Sequence, residues 1–297
     1  IMPALTPRRL RWLNVAAAIV QLFCGCAIGG ITDRDAVLPW YVDFVESADV
    51  DEGVLFYLPV LKQVASIPVG YYASIFLLLS GINHLLCALP YINDWYNQQI
   101  ALNTNPIRWV EYAVSAAMMH VMIAQLSGVT QIHLLFTIFG LTSTTMMHGW
   151  MMERYNKTAI PHFVVEGPHD VPTPVAEEEQ YVTEMQDGKI QPSKKVDWAP
   201  FWFGFIPHLF LWAVIACFFF AGVSNGDPPG FVWALFFVVF FLDLTFAVNQ
   251  GLQFLQVPGW IGFGAGEFWY IILSFTAKQL LAWINYGGTV RFKDQNT

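Results

Sequence analysis

Seven stretches of mainly apolar residues alternate with polar connections along the chain. They are Leu10–Ile31, Ile67–Leu89, Pro106–Ser127, Ile132–Arg154, Phe201–Val223, Phe231–Gln256 and Phe263–Gly287. Each is as long as the ~20 residues that a helix needs to cross a hydrocarbon core. The pattern predicts an all-α protein, a single bundle of seven transmembrane helices over residues 1–297. Arg8, Arg9 and Arg11 precede the first stretch, as in a secretory leader. That stretch is too long for a leader's apolar region, so it is read as a span. The third has a sharp start: Asn105 suits a helix cap and Pro106 the first helical position.

Composition agrees. The 297 residues are 56% hydrophobic and only 12% charged, with a mean hydropathy of +0.47. Soluble domains carry about 25% charged residues. A net charge of -8 argues against a nucleic-acid partner. Cys24, Cys26, Cys87 and Cys217 all fall in apolar runs, which suits packing better than disulfides or metal ligation. No phosphate loop, zinc-protease motif or nucleophile elbow occurs in a suitable context, and no histidine pair has metal spacing with a second ligand. The chain is not expected to be an enzyme or to hold a metal.

Basic residues set the expected orientation. With the N-terminus cytoplasmic, that side holds Arg8, Arg9, Arg11, Arg108, Arg154, Lys157, Lys189, Lys194 and Lys195. The outside holds Arg34, Lys62, Arg291 and Lys293, and the C-terminus is extracellular. Residues 32–66 then form an external segment, acidic but interleaved with Trp40, Tyr41, Phe44, Phe56 and Tyr57. Aromatics at this density are not linker composition, so short strands or turns folded onto the outer face are expected. Residues 156–200, with several prolines and Glu177-Glu-Glu179, read as a solvated cytoplasmic loop.

One charge stands out. Lys278 lies at the centre of Tyr270-Ile-Ile-Leu-Ser-Phe-Thr-Ala-Lys278-Gln-Leu-Leu-Ala-Trp283. A cation there costs roughly 2.5–3.5 kcal/mol on insertion scales. Such a residue faces a bundle interior and has a partner. Its amine is also a nucleophile toward aldehydes. A snorkelling or structurally paired lysine is the plainer alternative. Glu111, Glu153, Asp243 and Glu267 are the acidic residues in or at the edges of the spans. Glu267 is eleven residues before Lys278 on one helix, ~16 Å along the axis, and cannot pair with it. Glu153, beside Arg154 at a helix end, reads as a boundary residue. Glu111 and Asp243 remain equal candidates on the residues alone. His84, mid-span after Asn83, suits either a proton acceptor or a satisfied core histidine. His120, His133, His148 and His208 read as packing or interfacial residues.

In order and spacing, several motifs are similar to those of the heliorhodopsin family. They are Leu10-Arg-Trp-Leu-Asn14, Asn83-His-Leu-Leu86, Arg108-Trp-Val-Glu-Tyr112, Gln125-Leu-Ser-Gly128, Asp197-Trp-Ala-Pro-Phe201, Thr245-Phe-Ala-Val-Asn249 and Ser274-Phe-Thr-Ala-Lys278. The resemblance covers almost the whole membrane part. It implies a rhodopsin-like bundle with an inverted, cytoplasmic N-terminus. It further implies all-trans retinal held by Lys278 as a protonated Schiff base, with Glu111 as counterion. Ser115 and Ser274 match serines near that nitrogen, His84 a cavity histidine, Thr142 a small polar pocket residue, and Trp283 a tryptophan one turn beyond the lysine. Met118 extends the inward surface of the third span toward the same pocket. The external segment would pack at a homodimer interface, in a multi-pass protein of the plasma membrane surrounded by lipid.

Two positions depart from the family pattern: Gln21 stands where a second cavity histidine is common, and Asp243 is not part of the pattern. The implied function is a light-absorbing photoreceptor whose conformational change is read at the cytoplasmic face. The alternative is a light-gated ion (proton) channel, as reported for some viral members, with Asp243, Glu267 and Gln21 on the ion path. A retinal-free receptor or transporter is a third reading.

Overall fold

The computed structural model describes residues 6–48, 56–160, 195–226 and 228–296. Residues 49–55 and 161–194, parts of the expected external segment and cytoplasmic loop, lie outside them. The first helix, α1 (Pro7–Ile31), is capped by Thr6, whose hydroxyl accepts from Arg9 N at 3.3 Å. An antiparallel hairpin follows, β1 (Val37–Ala48) with β2 (Phe56–Pro68). Then come α2 (Val69–Ala88), α3 (Pro90–Ala101), α4 (Pro106–Leu126) and α5 (Ile132–Tyr155). Beyond the undescribed stretch lie α6 (Ala199–Asn225), α7 (Gly230–Leu255) and α8 (Phe263–Asn296).

Each of the seven apolar stretches is thus a helix. Two features go beyond the expected bundle. The hairpin makes the fold not purely α, and α3 is a twelve-residue helix too short to span. By length and apolar composition, α1, α2, α6 and α7 can each cross a membrane. The other three long helices carry polar residues turned inward: Arg108, Glu111, His120 and Gln125 on α4, Thr142 and Glu153 on α5, Glu267 and Lys278 on α8.

Close approach of α1 and α2 depends on glycine. A Cβ at Gly81 would sit 2.8 Å from Leu22 Cγ, and one at Gly25 would sit 2.9 Å from Leu78 Cγ. Small residues that let backbones meet are how helices associate where lipid removes the hydrophobic drive. The hairpin is pinned to the bundle by a polar knot. Trp40 Nε1 donates to Tyr72 Oη (3.0 Å) and to Gln125 Oε1 (3.2 Å), Gln125 Nε2 donates to Pro39 O, and Tyr72 Oη bonds Gln125. Tyr41 N donates to Thr130 O at 2.9 Å. Trp40 of the external segment is thus held against the bundle by its side chain, and Tyr41 by its backbone, while Phe44 is exposed.

The apolar core falls into three parts, two of them large. One holds Tyr72, Phe76, Met122, Trp212, Phe219 and Phe236; the other holds Leu10, Tyr96, Ile100, Met152, Phe254 and Phe263. Trp109, Tyr112 and Tyr270 form a third, smaller group, and the buried charges of α4 and α8 gather around it.

Candidate functional site

Lys278 is buried, and its Nζ makes three contacts. It donates to Glu111 Oε1 at 2.7 Å, to Ser274 Oγ at 2.9 Å and to Ser80 Oγ at 3.0 Å, and lies 5.1 Å from the Tyr112 ring centre. Helix geometry sets the Ser274 contact, since residues four apart share a face. Glu111 reaches the amine because the Asn105–Pro106 start sets its rotation on α4: Asn105 Oδ1 accepts from Arg108 N at 3.1 Å. Of the two candidate carboxylates, only Glu111 contacts Lys278 Nζ among the described residues. Asp243 Oδ2 instead meets His120 Nε2 at 2.6 Å and accepts from Trp212 Nε1 at 3.1 Å. Ser80 was missed in the sequence, although it stands one turn before His84 on the same face of α2.

The pair stands between two cavities. Lys278, Ser274 and Ser115 line the larger, with Trp109, Met119, Met146, Gly149, Phe201, Phe205, His208, Asp243 and Phe246 among the other walls. It encloses about 960 Å³ between atoms, its open mouth included. Its character is that of a small-molecule site, apolar with a few placed polar groups. Glu111 lines the smaller one, with Asn14, His84, Tyr96, Arg108 and Glu267. There Asn14 Nδ2 donates to Leu10 O, so Asn14 Oδ1 faces His84 and accepts from its Nδ1–H at 2.7 Å. His84 Nε2 is left as a lone-pair acceptor.

Two further expectations change. Glu153 is not a boundary residue: it is 0% exposed, pairs with Arg108, and accepts from Asn105 N at 2.8 Å. Arg108, counted among the loop cations, is buried between Glu153 and Glu267. Glu267 also accepts from Tyr96 Oη (2.9 Å) and Asn105 Nδ2 (2.7 Å). The guanidinium stacks 3.9 Å from the Tyr270 ring, and Tyr112 Oη donates to Tyr270 O at 3.0 Å. An aromatic contact thus links the lysine pair to the arginine cluster.

Of the remaining expected site residues, Ser115 Oγ is buried at the larger cavity without a hydrogen-bond partner among the described residues. Met118 packs on the apolar core, while its neighbour Met119 lines the cavity. Thr142 is buried against His120 rather than in the cavity wall. Trp283 is 42% exposed on α8 and donates to Gln279 Oε1, away from the cavity. Gln21 is buried with neither amide atom hydrogen-bonded among the described residues. Of the histidines read as packing or interfacial residues, His120 contacts Asp243 and His208 lines the cavity with it. All four cysteines are free thiols.

These residues suit a long apolar aldehyde. One buried amine with a carboxylate in contact lies beside an aromatic-lined cavity with an orphaned hydroxyl. Gly149 helps shape that space: a Cβ there would fall 2.3 Å from the Trp109 ring. The family model described as heliorhodopsin matches residues 10–165 and 179–290. No curated protein matches.

Proposed function

The chain belongs to the heliorhodopsin family, a family of retinal-binding, light-sensing rhodopsins, and from that premise we propose that Lys278 is the attachment point of all-trans retinal in a seven-span photoreceptor. The observation that carries this is the buried Lys278–Glu111 contact at 2.7 Å beside the large apolar cavity. Lys278 would hold the aldehyde carbon through Nζ, and Glu111 would balance a positive charge on that nitrogen. When bound, retinal supplies visible absorption and a light-driven isomerisation.

The chain's own residues do the rest. Glu111 balances the positive nitrogen, and Ser80 and Ser274 offer it hydroxyl oxygens. Phe246, Met119 and Met146 keep the cavity dry. His84 Nε2, facing the smaller cavity with Glu111, is the acceptor positioned to hold a proton transiently. The aromatic contact through Tyr112 and Tyr270 carries displacement to Arg108 and so to the end of the bundle where α3 sits. We take α1, α2 and α4 to α8 as the spans, with the N-terminus cytoplasmic and the C-terminus outside. The bias of basic residues supports this, and removing buried Arg108 from the count leaves that bias in place. The hairpin would then lie outside, where exposed Val45, Leu61 and Val64 suit a homodimer contact.

Protein supplied with all-trans retinal is expected to show a visible band that Lys278→Ala abolishes. An unchanged band in that variant would overturn the assignment. A light-gated channel is the second reading, motivated by Asp243 in the wall of the main cavity. Against it stands the Arg108–Glu153–Glu267 cluster, which fills the interior between α4, α5 and α8. Whole-cell recording under illumination is therefore expected to show no photocurrent over a range of voltages. A current that reverses with the proton gradient would establish the channel instead.

A further inference from the structure

The wall of the large cavity on α6 and α7 has a chemistry that an unsubstituted retinal does not use. His208 on α6 and Asp243 on α7 both line it. α6 packs chiefly on α5, and α7 packs on α8, so His208 faces the cavity from the side away from the lysine. A molecule anchored at Lys278 shares its cavity with this wall.

Hydrogen-bond accounting shows what is free there. Because a carboxylate only accepts, His120 Nε2–H donates to Asp243 Oδ2 at 2.6 Å, and Nδ1 faces Thr142 Oγ1 at 3.2 Å. His120 Nε2 and Trp212 Nε1 both converge on Asp243 Oδ2. The second carboxylate oxygen, Oδ1, has no hydrogen bond among the described residues, and the side chain is 14% exposed, toward the cavity. His208 packs at right angles to the Phe205 ring, and neither of its nitrogens has a hydrogen bond among the described residues. It lies in the electrostatic field of both Asp243 and His120. An acceptor and an imidazole therefore face the same apolar space unpaired. Leaving a buried polar group unmatched is costly, and covering this wall with a hydrocarbon ring would do that.

We propose that this wall selects a retinal whose ring bears a hydroxyl group over unsubstituted retinal. The hydroxyl donates to Asp243 Oδ1 and accepts from a His208 N–H. A ring ketone lacks the donor: it can accept from His208, but it sets its lone pairs against the carboxylate and so shows no net gain. The proposal rests on the retinal reading above.

The test is titration of retinal-free protein with all-trans retinal, its 3-hydroxy derivative and its 4-oxo derivative, followed by growth of the visible band. The hydroxy form is expected to bind about tenfold more tightly than the parent, as one charge-assisted hydrogen bond allows. The oxo form is expected to bind no better than the parent. In Asp243→Ala, and separately in His208→Phe, the hydroxy-to-parent ratio should fall toward one. Equal affinity of the hydroxy and parent forms in the native protein would overturn the proposal, with the wall then holding water. So would a preference that survives both substitutions. If one variant does not fold, the native ratio and the other variant still decide. Failure of all three retinals to bind would defeat the retinal reading itself, a different outcome from equal binding.

Discussion

Glu111→Gln is expected to convert the chromophore at neutral pH from a visible-absorbing to a near-ultraviolet form. The carboxylate is the only anion in contact with Lys278 Nζ among the described residues, at 2.7 Å, and both side chains are buried. Removing one partner of a buried ion pair costs roughly 3–5 kcal/mol, because the charge left behind has no solvent. That shifts the balance between protonated and neutral nitrogen more than a hundredfold toward neutral. Ser80 and Ser274 do not replace the anion, since hydroxyl dipoles carry no net charge. Asp243 does not replace it either: it makes no contact with Lys278 Nζ among the described residues and is tethered to His120 and Trp212. Absorption spectra across pH read the outcome directly. A visible band of unchanged position and pH range in Glu111→Gln, with loss of the band in Asp243→Asn, would reverse the counterion assignment.

Arg108→Met is expected to destabilise the protein by about 3–5 kcal/mol, with a drop of roughly 10 °C in Tm. The guanidinium lies between Glu153 and Glu267, and all three side chains are almost fully buried. Without it, two carboxylates face each other in a dry interior. Arg108→Lys should lose less, but still measurably, because one ammonium cannot span both acids as a planar fork does. The triple variant Arg108→Met with Glu153→Gln and Glu267→Gln should recover much of the loss, since no uncompensated charge remains. Thermal unfolding in detergent separates these cases. If Arg108→Met and the triple variant unfolded at the same temperature, the loss would come from packing rather than from stranded charge.

What could be read from residues alone was whatever depends on distance along the chain. The apolar stretches became helices, and Asn105–Pro106 marked the start of α4 to the residue. Ser274 beside Lys278 followed from a spacing of four. What could not be read depends on how one helix is rotated against another. Asp243 and Glu111 looked alike because sequence gives depth and not azimuth. Glu153 looked peripheral beside Arg154, yet a step of one residue turns a helix by about 100°. Arg154 lies against Trp150 while Glu153 turns inward to Arg108. The hairpin's aromatics indicated that it would pack, but its pairing and the irregularity between Trp40 and Tyr41 depend on partners distant in sequence. The short α3 was hidden because Pro90-Tyr-Ile-Asn-Asp-Trp95 has neither a spanning length nor a clear apolar face.

The most direct measurement is borohydride reduction of the retinal-loaded protein in the light, followed by proteolysis and mass spectrometry. Reduction traps an imine as a stable secondary amine, so the modified residue is read without reference to colour. The expected result is a retinyl group on Lys278 and on no other lysine. A retinyl group elsewhere, or none in a sample that shows a visible band, would contradict it.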